Sequence, residues 1–418
     1  MKYFVFLLFF SAIVFPETMV WQKCLGGSGI DIAYMIKVWE KEYVIVGETS
    51  SNDEDVSMNH GKSDAWVVVL NRDGKIIWER TFGGSENDVA YAVSCCTDSL
   101  IVAGSSYSKN FVKNRGKCDV FILRIDENGN VIWKRSIGGS EKDFVYDVVC
   151  MKDEGVVLVG KTLSKDGDFT GNHGSVDAWI AKLDRSGNLL WLRCFGGIWD
   201  DRFLKVQEVK DGFIVVGYTN SKDVLKTHGK GDLWIVKLDF QGNTIWQKCL
   251  GGSQEDRGLS LVIADDGYVV CGYSHSKDGD VGENHGKCDG WIVKVDKNGE
   301  ILWKDVVGGL KMDKLFSICK MDEGYVSVGF SYSKSIPGWH GSSDFWILKL
   351  SESGNVLKQR CFGGRSWDKA RYVTFDGEKI IVIGETSSSD GNVKGWHEGY
   401  DEFGDKTLDV WVLTLSFK

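Results

Sequence analysis

Seven Gly-Gly pairs pace this 418-residue chain. They begin at Gly26, Gly83, Gly138, Gly196, Gly251, Gly308 and Gly363, at spacings of 57, 55, 58, 55, 57 and 55 residues. Four residues after each second glycine stands an aspartate: Asp31, Asp88, Asp143, Asp201, Asp256, Asp313 and Asp368. A second aspartate, followed two residues later by an aromatic, also recurs seven times. Those pairs are Asp64/Trp66, Asp119/Phe121, Asp177/Trp179, Asp232/Trp234, Asp289/Trp291, Asp344/Trp346 and Asp409/Trp411. Self-similarity at a fixed period means one supersecondary unit, repeated, whose copies bury their apolar faces on each other.

Each unit reads as four short strands. The first follows the Gly-Gly-x-x-x-Asp segment, and the second is a β-branched run ending in glycine, as in YVIVG or FIVVG. The third is AWVVVL or LWIVKL, and the fourth holds KIIW, NVIW, NLLW, NTIW or EILW. Val, Ile, Trp and Tyr dominate, which is strand composition, and no stretch sustains a helical period. The third-to-fourth connection always ends in glycine (NRDG, DENG, DRSG, DFQG, DKNG, SESG), as a tight hairpin with φ > 0 requires.

An open array of such units leaves unpaired strand edges, and radial closure protects them. The sequence starts its repeats with ETMVWQKCLGG, a fourth strand without its first three, and finishes with DVWVLTLSFK, a third strand without its fourth. The expected fold is therefore all-β: a seven-bladed β-propeller over residues 19–418. Its blades have four strands, and the N-terminal strand completes the last blade.

Residues 1–18 read differently. Lys2 precedes an uncharged run of 12 residues, Phe4 to Phe15. A membrane-spanning helix needs about 20 apolar residues. A basic start and a short apolar stretch instead make a secretory signal, so export to the medium, periplasm or cell envelope is expected. The net charge of −9, with no Lys/Arg block, argues against a nucleic-acid partner.

The unit HGKSDAWVVVLNRDGKIIWERTFGGSENDVAYAV resembles a repeat of secreted bacterial propeller proteins. Its form is a DGD-x-x-x-NHG loop, DxW, a KLDxxGNxxW hairpin and GGSxxDxA. The resemblance implies a secreted or surface β-propeller, of a kind labelled lectin-like or quinoprotein-like by similarity. It brings no cofactor site with it.

Residues that recur in every blade are read as parts of the fold, because a site needs groups found once. The fourteen aspartates are turn-fixing acceptors. His60, His173, His228, His285 and His340, in HG-x-x-D, are expected to clamp the nearby aspartate; Arg115 replaces the histidine in blade 2, and blade 7 lacks the HG. Twelve of the 17 tryptophans belong to the repeat and fill the gaps between blades. Lys358 stands where a sixth-hairpin tryptophan is expected, so that strand should fit less well. Of the 11 cysteines, Cys24, Cys194, Cys249, Cys361, Cys118 and Cys288 stand at positions held by Ser, Thr or Val in other repeats, and equivalent positions lie on different blades, so few or no disulfides are expected.

Departures from the repeat are the guide to function. From the glycine ending strand two to the third-strand aspartate, the loops span 17, 15, 17, 15, 17, 15 and 25 residues. These loops share a face with the Gly-Gly connections. Trp199, Trp339, Trp367 and Trp396 lie outside the repeat on that face, whereas Trp39 lies on the opposite one. With His397 and Tyr400 they form a candidate surface for a glycan or an extracellular protein, unless the rings fold back as packing. Acidic loops of the odd blades offer Asp166, Asp168, Asp278 and Asp280 as calcium ligands; Asx-turns explain the same pattern. No other cofactor is expected. The expected function is a monomeric binding or scaffold module and not an enzyme. The alternatives are a purely structural surface component, or a polysaccharide hydrolase or lyase using Asp401, Glu402 and His397.

Overall fold

The structure, a computed structural model, describes residues 18–401 and 403–417. The expected signal segment lies outside the described residues, except Thr18. Among the described residues every regular element is a strand, and the strands form seven four-stranded sheets. Blade 1 comprises Asp31–Trp39, Glu42–Thr49, Asp64–Leu70 and Ile76–Phe82, each pairing antiparallel with the next. Blades 2 to 6 repeat this order, with first strands starting at Asp88, Asp143, Asp201, Asp256 and Asp313. Blade 7 comprises Asp368–Phe375, Ile380–Thr386 and Asp409–Ser416, and its fourth strand is Thr18–Leu25. Cys24 sits opposite Trp411 in that closing pair. The ring thus closes as the sequence predicts.

The second and third strands are almost wholly buried, while the fourth alternates towards solvent. Third-strand tryptophans Trp66, Trp179, Trp234, Trp291, Trp346 and Trp411 are at most 1% exposed and fill the space between sheets. The six fourth-strand tryptophans fasten blades in a second way. Each ring lies on the hairpin glycine of the next blade: Trp21 on Gly74, Trp78 on Gly129, Trp133 on Gly187, Trp191 on Gly242, Trp246 on Gly299, Trp303 on Gly354. These glycines have φ from +79° to +86°, and a Cβ at Gly74 would stand 2.9 Å from the Trp21 ring. The indole N–H of Trp21 donates to the Arg72 carbonyl at 3.0 Å, and that of Trp78 to the Glu127 carbonyl at 2.9 Å. Lys358 now has a reason. Its neighbour is blade 7, whose outer strands come from opposite ends of the sequence, so no hairpin glycine is there to be covered.

One disulfide is present, within the few or none expected, but it joins near-equivalent positions of neighbouring blades. Cys96 and Cys150 form a disulfide between blades 2 and 3, with Cα atoms 5.6 Å apart. Cys150 ends the first strand of blade 3, and Cys96 stands one residue past that of blade 2. The first strands are innermost, where neighbouring blades approach most closely, so near-equivalent positions there come within bridging reach. The other nine cysteines are free thiols.

Candidate functional site

The loop face is built on the repeated aspartates. In each blade the first-strand aspartate accepts the N–H of the second glycine, at 2.7 to 2.9 Å in all seven. The same carboxylate oxygen also accepts a serine hydroxyl: Ser51, Ser108, Ser164, Ser221, Ser276, Ser333 or Ser388, at 2.6 to 2.9 Å. These serines stand two residues after the last residue of strand two. They recur as faithfully as the aspartates, and only their position inside variable loops hides them in the sequence. Burial outweighs these hydrogen bonds and pushes Asp31 and Asp368 up to about 6.

The third-strand aspartates hold the loops in turn. Oδ2 accepts the backbone N–H of His60, Arg115, His173, His228, His285, His340 and His397, at 2.6 to 2.9 Å. The histidine Nδ1 faces the same oxygen, at 2.5 Å for His60 and 2.9 Å for His397. His397 is therefore the blade 7 clamp, reaching Asp409 across twelve residues where the others reach across four. The Asp409 carboxylate holds its imidazole above the ordinary histidine value. Oδ1 of all seven third-strand aspartates has no hydrogen-bond partner among the described residues.

The carboxylates weighed as calcium ligands are engaged in the same turns. Asp166 Oδ1 accepts the Ser140 N–H at 2.7 Å, and Asp278 Oδ1 accepts the Ser253 N–H at 2.7 Å. Asp168 accepts the Gly138 N–H at 3.0 Å and pairs with Arg115. Asp280 Oδ2 accepts the Gly251 N–H at 3.2 Å. Each acidic loop thus caps the Gly-Gly turn before it.

The loop-face aromatics fall into two groups. Trp339 and Trp396 are partly buried against the cores of blades 6 and 7. The Lys334 ammonium lies 5.1 Å above the Trp339 ring and the Lys406 ammonium 4.4 Å above Trp396. The Trp396 indole N–H donates to the Thr407 carbonyl at 3.2 Å. The two lysines cover these rings. Trp199, Trp367 and Tyr400 are open instead, at 58%, 47% and 56% exposure. Three unforeseen residues join them: Ile198 (57%), Leu310 (80%) and Phe403 (82%). All lie on Gly-Gly connections or on the long blade 7 loop. Parallel bridges such as Ser343 to Trp367 tie each loop to the next connection, which fixes both on one face.

Of the residues named for hydrolysis, Glu402 lies outside the described residues. Asp401 Oδ1 accepts the N–H of Phe403 and Asp405 at 2.9 Å, closing a local turn. Trp39 sits on the opposite face, in a cleft of about 630 Å³ with Trp78, Thr97 and Glu127.

No protein-family model matches the chain. A curated protein, regulatory protein FlaEY of Caulobacter vibrioides, is 25% identical over 171 residues, covering 37% of this chain. The chain spans only 18% of that protein's length. Two solved structures align over nearly the whole ring. The WD40 propeller domain of Doa1 gives a TM-score of 0.52 at 13% identity, covering 96% of this chain and 97% of its own. The Neurospora crassa Pan2 WD40 domain gives 0.53 at 10% identity, covering 96% of each. At such identities the likeness is one of fold: the chain is a seven-bladed β-propeller.

Proposed function

We propose that the chain is an exported binding module that holds an extracellular protein on its loop face. The carrying observation is the set of open apolar side chains at separate blade connections: Ile198 and Trp199, Leu310, Trp367, Tyr400 and Phe403. Large apolar groups left exposed on loops of a rigid scaffold mark interaction surfaces. Their spread over several blades suits a broad protein surface better than one sugar ring. A glycan remains the second reading, because Trp199 and Trp367 each offer a flat indole face. Export is supported by the apolar run after Lys2 and by the Cys96–Cys150 bridge, which persists in oxidising compartments. The fold supports a binding or scaffold role in the same way, through loops displayed by a ring of sheets.

The test is photo-crosslinking in the producing cells. A photoreactive side chain is placed at position 367 and, separately, at 39 on the opposite face. Protein adducts from 367 and not from 39 are expected. Adducts that carry only sugar select the glycan reading. Equal adducts from both positions, or none from 367, overturn the loop-face assignment.

A further inference from the structure

The inner ends of the blades break their sevenfold pattern in one direction. The residue after each first-strand aspartate is Ile32, Val89, Phe144, Arg202, Arg257, Lys314 or Lys369. It pairs across to a second-strand residue at the same height in the ring. Those partners are Glu48, Ser105, Lys161, Tyr218, Tyr273, Phe330 and Glu385. Blades 3 to 6 therefore carry a cation opposite an aromatic, four times in succession. Blades 1 and 2 carry none.

The side chains meet there. The Lys161 ammonium lies 4.8 Å from the Phe144 ring centre, and the Lys314 ammonium 3.6 Å from that of Tyr273. The guanidinium carbons of Arg202 and Arg257 sit 5.3 and 3.4 Å from the Tyr218 ring centre, so one ring carries two cations from adjacent blades. Lys369 continues the arc over Phe316 at 5.2 Å. Beneath it is a channel cavity of about 260 Å³, lined by Tyr34, Tyr91, Tyr146, Phe316 and Arg371.

The carboxylates nearby do not match this charge. Asp200 takes Arg202, Glu255 takes Arg257, and Glu385 takes Lys369 and Arg371. Lys161 and Lys314 have no carboxylate within ion-pair distance among the described residues, although both are only partly exposed. The cost shows in the lysines: desolvation, then the neighbouring guanidinium, brings Lys161 and Lys369 down to about 8. In a chain of net charge −9, an arc of gathered and partly unpaired cations is held against the overall balance. Like charges in a partly desolvated mouth raise the local concentration of anions.

We propose that the loop-face mouth of the channel binds a ligand bearing two or more oxyanion groups, with Lys161, Arg202, Arg257 and Lys314 as its contacts. Carboxylate, sulfate and phosphate share this chemistry. The site is independent of the open aromatics at the rim, so either reading can fail without the other.

Isothermal titration of the full chain tests it, with citrate, a disulfated disaccharide and inorganic tripolyphosphate as probes at low and physiological salt. At least one probe should bind with an affinity that falls as salt rises. The Lys161→Gln/Lys314→Gln variant should weaken it at least tenfold, while Lys117→Gln on the exposed rim changes nothing. The probe that binds identifies the oxyanion. Should the double variant unfold, Lys314→Gln alone is titrated, and the amine titration of Lys161 is followed by NMR in the wild type. A bound anion raises that pKa. No binding of any probe, or equal binding by the variants, overturns the proposal.

Discussion

Blade 1 and blade 7 make the same sheet by different routes. Blade 1 is continuous, its outer strands joined by a hairpin whose Gly74 lies under Trp21. Blade 7 takes its outer strand from Thr18–Leu25, has no hairpin between its two outer strands, and replaces the short HG-x-x-D loop by one of 25 residues. Yet the inner framework is unchanged. Asp368 still accepts Gly364 N–H and Ser388 Oγ, and His397 still clamps Asp409. Turn chemistry is therefore fixed by what the fold needs, whereas connections vary where closure or recognition needs them to.

The comparison is broken most severely by removing the strand that only blade 7 borrows. Deleting residues 18–25 should abolish cooperative unfolding in a circular-dichroism melt, because it uncovers the third-strand edge and Trp411 together. A cooperative melt near the wild-type Tm would refute closure by that strand.

Next comes the cross-link between blades 2 and 3. Changing Cys96 and Cys150 to Ser should cost about 2–4 kcal/mol, read from denaturant midpoints. An unchanged midpoint in wild-type protein treated with reductant would show the bridge to be irrelevant.

The outer rim gives an asymmetric pair. Trp303→Lys removes a ring from Gly354 and should destabilise by about 2 kcal/mol, as a partial loss of aromatic burial. Lys358→Trp should stabilise nothing, because no hairpin awaits the ring. A gain from Lys358→Trp would mean that the missing hairpin does not explain the exception.

Of similar or smaller size is the serine set. Ser388→Ala leaves an Asp368 oxygen short of one donor and should cost about 1–3 kcal/mol. The same change at Ser51 in blade 1 should cost a similar amount if the framework is shared.

A pH dependence acts on both blades alike, through Asp31 in blade 1 and Asp368 in blade 7. Burial holds Asp31 and Asp368 near 6, above the value of an unfolded chain. Their contribution is therefore fully present below about pH 4 and is lost as pH rises through 6. His397, also raised, loses its contribution above its unfolded value in the same sense. The Tm should be higher at pH 5 than at pH 8, and Asp31→Asn with Asp368→Asn should flatten the difference.

Much of this was legible in the sequence because it repeats. Spacing predicts the blade number, strand composition and hairpin glycines the strand order, and the partial repeats ETMVWQKCLGG and DVWVLTLSFK the closing strand. The His397 clamp was missed because its twelve-residue reach hides a contact that spans four elsewhere. The Cys96–Cys150 bridge was missed because spacing does not reveal how closely inner strands approach. Trp339 and Trp396 look alike to Trp367 as letters. What separates them is whether a lysine and a loop fold over the ring, which depends on loop path. The serines and the cation arc were visible in the alignment of repeats, but only once the strand register showed which positions face each other.

The central claim is that repeated residues hold the ring and that open, non-repeated ones are spare for recognition. It is tested most directly by thermal melts of Trp411→Ala, Trp199→Ala and Trp367→Ala. Trp411 is fully buried, and its loss should cost about 3–5 kcal/mol and lower the Tm by several degrees. The two loop-face changes should stay within about 0.5 kcal/mol of wild type. A Tm loss from Trp367→Ala comparable to that from Trp411→Ala would make the loop-face rings part of the framework and contradict the account.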